Sequence, residues 1–144
     1  MNRPLRVVVL ATALIVPVFS QGVAKVDCGH STVADFSPSL EPKANAFLAS
    51  LKAAVKAQDK QRVAGMVQYP LLVNTAKGHK QIKASAQLIG EFDRLFTVSM
   101  RKAIEEQTPA CLFANWQGVM IGNGEVWFEE QSSGTMKIKT LNVP

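Results

Sequence analysis

Histidine is nearly absent from this chain. Only His30 and His79 occur, and neither stands in a recognised nucleophile motif, so a serine or cysteine triad is not expected. Cysteine is equally scarce. Cys28-Gly29-His30 is a close pair of metal-binding types, yet no partner at ligand spacing follows it, and no metal site is read. No glycine-rich loop opens a helix: Gly122-Asn123-Gly124 lies between strand-like runs, where hairpin geometry accounts for both glycines. No run of Lys or Arg is interleaved with aromatics, which removes the pattern for nucleic-acid binding. No internal repeat, low-complexity tract or cofactor motif appears.

One long apolar run is present, at the amino terminus. Residues 7–19 (VVVLATALIVPVF) follow the cations Arg3 and Arg6 and precede Gly22-Val23-Ala24, the layout of a secretory signal with cleavage after Ala24. At 13 residues with a late proline the run is short for a membrane span, which takes about 20. Lys25-Val26-Asp27-Cys28 is not a lipid-attachment box. The product expected is therefore periplasmic or secreted, with no anchor after cleavage. Losing Arg3 and Arg6 from 16 cations leaves 14 against 11 acids, a modest +3. About 120 residues then remain, enough for one domain with one core. The organisation read is a signal at 1–24, a leader at 25–39 and a domain at 40–144.

Cys28 and Cys111 both fall in the processed part, and an oxidising compartment favours their pairing. The alternative is a buried thiol at Cys111 with Cys28 exposed and unpaired. A catalytic cysteine has no histidine motif to support it.

From Leu40 the pattern is helical, with Phe47, Leu48, Leu51 and Val55 on one stripe. Asp59 caps a second helix whose inner face is Val63, Met66 and Val67, ended by Tyr69-Pro70. Short strands are expected at 71–74 and 80–83, around a turn with Lys77-Gly78. Ser85 is read as the cap of a helix carrying Leu88, Ile89, Phe92, Leu95, Phe96, Met100 and Ile104, with Thr97 as a kink or a new cap. After Pro109 the pattern is β: one strand over 110–121, a two-residue Asn123-Gly124 turn, a strand over 125–130, a Ser132-Ser133-Gly134 turn, and a strand over 136–143. Helices first and a meander afterwards predict an α+β fold, with helices on one face of a curved antiparallel sheet.

The string from Leu112 to Phe128, Leu-Phe-Ala-Asn-Trp-Gln-Gly-Val-Met-Ile-Gly-Asn-Gly-Glu-Val-Trp-Phe, resembles a hairpin of small exported bacterial proteins in the nuclear transport factor 2-like superfamily. Tyr69-Pro70-Leu71, Phe92-Asp93-Arg94-Leu95-Phe96 and Arg101-Lys102-Ala103-Ile104 extend the resemblance across 40–142. It implies a cone in which helices lean into the concave sheet and leave a pocket. It does not imply an activity, because isomerases, dehydratases, cyclases and transport factors share that fold.

Two classes of function remain. Acid–base chemistry, as in a steroid-isomerase-like lyase or isomerase, needs a carboxylate in an apolar cavity beside a polarising donor. Asp93 and Glu125 are the candidate acids, with Tyr69, Asn115 and Gln117 as donors. Asp93 adjoins Arg94 on a helix able to turn it outward, and Glu125 abuts a turn. The reading adopted is a non-catalytic binding module, taking a small molecule or a protein through the cavity or the sheet face, with a homodimer as a further expectation. Its candidate contacts are Tyr69, Asn115, Trp116, Gln117 and Trp127, with the amides facing inward, and Met120 and Met136 lining the same pocket. The Lys77, Lys80, Lys83 group is read as a solvated turn.

Overall fold

The computed structural model describes residues 28–144; the expected signal and its cleavage point lie outside the described residues. The leader is not featureless. It carries helix α1 (Thr32–Phe36), capped by Ser31, whose Oγ accepts from the Val33 N–H at 3.1 Å, with Val33 buried. Five residues hold too little of a period to stand out in a sequence. Helix α2 (Glu41–Lys56) turns Ala44, Phe47, Leu48, Leu51, Ala54 and Val55 inward, as the 3.6-residue stripe requires. Helix α3 (Lys60–Gly65) starts on Asp59, whose carboxylate accepts from the Arg62 N–H at 2.9 Å. It stops at Gly65, before Val67, so Val67 is a strand residue and not part of the helical face expected for it.

Strand β1 (Val67–Thr75) runs through the cis Tyr69-Pro70 bond. Proline fits here because the pairing of β1 shifts between Val67 and Leu72, so no ladder N–H is required at Pro70. Strand β2 (Gly78–Ile82) returns beside β1. Helix α4 (Ser85–Leu95) follows; Ala84, not Ser85, occupies the cap and makes no side-chain bond, while Gln87 Oε1 accepts the Lys83 N–H at 2.9 Å. Thr97 is a new cap, its Oγ1 accepting from Met100 at 3.3 Å to open helix α5 (Val98–Glu106).

The expected strand over 110–121 is three pieces. Pro109–Cys111 is a 3-10 turn, β3 is Phe113–Asn115 and β4 is Gly118–Ile121. Asn115 pairs with Gly118 across a tight loop of Trp116 and Gln117. Gly118 takes φ +122°, and a β-carbon there would lie 2.6 Å from the Phe128 carbonyl oxygen, so only glycine fits. The Asn123-Gly124 turn is also longer than expected. Ile121 pairs with Val126, leaving a four-residue loop in which Gly122 and Gly124, not Asn123, take positive φ. Strands β5 (Val126–Glu130) and β6 (Met136–Asn142) complete the sheet.

Its order is β2-β1-β6-β5-β4-β3, antiparallel except for the interior β1–β6 pair. The fold is α+β, with the helices on one face. Leu71, Val73, Val119, Ile121, Val126, Phe128, Ile138 and Leu141 point into that interface. Phe47 of α2 stacks on Phe128 with ring centroids 4.6 Å apart. The Cys28–Cys111 disulfide is formed, with Cα atoms 5.1 Å apart, and it pins the leader beside β3. Backbone and side-chain bonds continue the seam: Thr32 N–H donates to Leu112 O at 3.2 Å, and Ala114 N–H to Thr32 Oγ1 at 3.0 Å. The edge strand β3 is thereby covered along part of its length.

Candidate functional site

Alternation along each strand decides which residues the outer sheet face presents. Because Val126 and Phe128 point to the helices, Trp127 points away. Because Leu71 and Val73 are buried, Leu72 and Asn74 share the outer face. The register then lines up one row across five strands: Leu72 opposite Thr140, Thr140 opposite Trp127, Trp127 opposite Met120, and Met120 opposite Phe113. A second row pairs Asn74 with Asn142.

The loop joining β3 and β4 folds over this face. It brings Trp116 and Gln117 to the same groove as Trp127, Thr140, Asn74 and Asn142, a hollow of about 450 Å³. Trp116 is 83% exposed, an unusual state for the largest apolar side chain. It also borders a second groove, of about 280 Å³, with Asn115 and with Phe36, itself 52% exposed.

Hydrogen bonding distinguishes the polar groups that hold the fold from those left over. Asn115 Oδ1 accepts the Gln117 N–H at 2.8 Å, closing the loop; this amide is occupied by its own turn. Asn74 Nδ2 donates to Asn142 Oδ1 at 2.8 Å, and Asn142 Nδ2 donates to Gly124 O. Asn74 Oδ1, the Gln117 side-chain amide and Trp127 Nε1 take no hydrogen bond among the described residues. The indole nitrogen lies toward Gly124, where an added β-carbon would be 3.5 Å from it and 3.8 Å from Asn142 Nδ2. The one cation lining the groove among the described residues is Lys139, whose ammonium meets Glu129 at 2.6 Å.

The structure thus brings together Trp116, Gln117 and Trp127 from the expected set and separates the others. Asn115 and Gln117 do not share one inward face. Leu112 and Ala114 are buried before the loop and Val119 and Ile121 after it, so the phase of alternation changes at Trp116-Gln117. Tyr69 lies elsewhere, half-buried with its hydroxyl donating to Ala64 O at 3.0 Å; burial raises its pKa above the usual phenol value. Met120 is on the outer row, whereas Met136 lines a helix-side groove of about 470 Å³ with Phe47, Met66 and Lys137, so the two methionines do not share a pocket. Thr140, Asn74 and Asn142 were not singled out from sequence. The buried pair of β6, Ile138 and Leu141, is three residues apart, so strict alternation breaks there and gives no local sign that Thr140 and Asn142 face outward.

The two candidate acids lie outside the core. Asp93 is exposed and bonds Lys60 Nζ at 2.8 Å and Arg101 Nη2 at 3.0 Å. The Lys60 hydrogen bond, with Arg101 beyond it, holds its carboxyl below the usual range. Glu125 accepts the Asn123 N–H within its own loop. His30 pairs with Asp35 at 3.1 Å in an exposed position, His79 is exposed, and Lys80 pairs with Glu91. Among the described residues, no three His, Cys, Asp or Glu side chains come together as a metal ion would need. Comparison with protein-family models, with curated proteins and with solved structures finds no match to this chain.

Proposed function

We propose that the protein is a non-catalytic binding module whose site is the groove on the outer sheet face, taking a small molecule between Trp116 and Trp127. One observation carries this reading: a loop without a glycine or asparagine at its centre holds an indole that is 83% exposed in the same groove as a second indole, the unspent Gln117 amide and Asn74 Oδ1. A volume of about 450 Å³ falls in the range of small-molecule sites, as does the mixture of apolar wall and few polar groups. The acid–base alternative lacks a carboxylate of its own in this groove, since Glu129 is spent on Lys139.

The nuclear transport factor 2-like cone belongs to the same proposal. It is supported by helices on one face of a six-stranded sheet and by the Tyr69-Pro70-Leu71 and Phe92–Phe96 pieces falling at the start of β1 and the end of α4. Export to the periplasm or beyond is supported by the disulfide and by the signal layout.

The chain has two tryptophans, both on the groove, so its two indole N–H resonances report the site directly. A screen of mixed neutral and charged fragments against ¹⁵N-labelled protein is expected to give binders that shift both indole signals. Binders that move only residues of the helix-side groove, such as Met66 and Met136, would overturn the reading.

A further inference from the structure

We infer that the ligand of the outer-face groove is a neutral saccharide, an inference that rests on the binding reading above and adds the chemical class. Three features of the groove select that class together.

The first is charge. Among the described residues, the only ionic side chain at the groove wall is Lys139, and Glu129 neutralises it at 2.6 Å. A phosphate, a nucleotide or an acidic peptide would find no unspent cation here, and a cationic ligand no unspent carboxylate. The second is the apolar surface. Trp116 and Trp127 supply flat, electron-rich faces, which attract the slightly positive C–H bonds of a pyranose ring, and such a ring has one face of that kind. Trp116 stands on a loop tip and is not buried by packing, so its face is available to a ligand.

The third is the polar complement. Asn74 Oδ1, the Gln117 amide and Trp127 Nε1 are unspent, and Thr140 lies beside Trp127 in the cross-strand row and lines the same groove. These are neutral donors and acceptors at short intervals, which suits vicinal hydroxyls that both donate and accept. Gln117 and Lys139 line one end of the groove, and Asn74, paired with Asn142, lines the other, three strand residues from Lys139 or about 10 Å. That span accommodates more than one sugar ring, and the groove is open along it.

The test uses the purified protein and a panel of soluble gluco-, manno- and N-acetylglucosamine oligosaccharides from one to six units, read by tryptophan emission and by the two indole N–H signals. The expected result is binding of at least one series tighter than about 1 mM, affinity that rises from monosaccharide to disaccharide, and no loss at high salt. Trp116→Ala is expected to weaken that binding about tenfold while leaving the circular dichroism spectrum intact. Gln117→Ala should weaken it with no change in the melting temperature.

If fragments shift both indoles but no saccharide binds, the sugar class is wrong and the binding module stands. If neither binds, both readings fall. A charged member of the fragment set that binds in a salt-dependent way, in preference to any sugar, would also overturn the inference. So would a dimer in sedimentation velocity that Trp116→Ala dissociates, since a second copy would then be the occupant of this face.

Discussion

Two neighbouring aromatic residues show how far one peptide bond separates packing from presentation. Phe128 is fully buried and stacked on Phe47; Trp127, one residue earlier, lies on the opposite face and only partly covered. Truncating Phe128 removes a large side chain from a closed interface, so Phe128→Ala is expected to cost about 3–5 kcal/mol. Trp116 touches little, and Trp116→Ala should change stability by no more than about 0.5 kcal/mol. Urea denaturation of both variants checks the pair. A large loss for Trp116→Ala would mean that its side chain supports the fold, and the exposure argument would fail. Gln107 is the converse case, a buried polar residue that sequence reading passed over. Its Oε1 accepts the Gly122 N–H at 2.7 Å, its Nε2 donates to Thr108 O at 3.1 Å, and its backbone oxygen takes Lys52 Nζ at 2.8 Å. Nothing local announces such a clamp, because two of its three partners, Gly122 and Lys52, are supplied by the tertiary fold.

At the scale of elements, the helices were legible where periodicity was long and opaque where it was short. The α2 stripe spans four turns and its buried set is the one the pattern gives, with Ala44 and Ala54 added. The break in 110–121 was not legible from Trp116 and Gln117, which are not turn formers; the signs were Asn115 and Gly118 on either side of them, where a four-residue turn takes Asn first and Gly last. That miss matters, because the expected alternation would have sent Asn115 and Gln117 to one face. Helix α4 makes an element-scale test possible. Asp93 ties it to α3 through Lys60 and to α5 through Arg101, and Glu91 ties it to β2 through Lys80 and accepts from Gln87 at 3.2 Å. Both carboxyls are held below their ordinary values, Asp93 first by the Lys60 hydrogen bond and Glu91 first by that of Lys80. A depressed folded pKa contributes stability above the unfolded value, near 4, and that contribution is lost as pH falls through the folded value. Asp93→Asn is therefore expected to lower the urea midpoint at pH 7 slightly, with the difference from the parent shrinking below about pH 4. A gap that stays constant from pH 7 to pH 3 would show that Asp93 acts through packing and not through its charge.

The whole molecule is closed by one covalent link and one seam. Cys28 and Cys111 lie 83 residues apart, so their bond closes a loop that contains, among the described residues, all five α-helices and strands β1 and β2. In the chain-entropy view a loop of that length contributes about 4 kcal/mol by restricting the unfolded chain. The same bond fixes α1 against β3, where Thr32 bonds both Leu112 and Ala114. Under the export proposed above, stability and compartment are coupled, because a thiol pair bridges in an oxidising compartment and stays reduced in the cytosol. We expect exported protein to begin at Lys25 and to weigh two hydrogens less than its reduced form. The double variant Cys28→Ser, Cys111→Ser is expected to melt about 10 °C or more below the parent. Using the double variant avoids leaving one thiol free to pair between molecules. Protein made without residues 1–24 in a reducing cytosol should match the double variant, then regain the parent melting temperature on oxidation. If the two melt together before oxidation and oxidation does nothing, the bond is dispensable, and the leader is held by the bonds of Thr32 to Leu112 and Ala114.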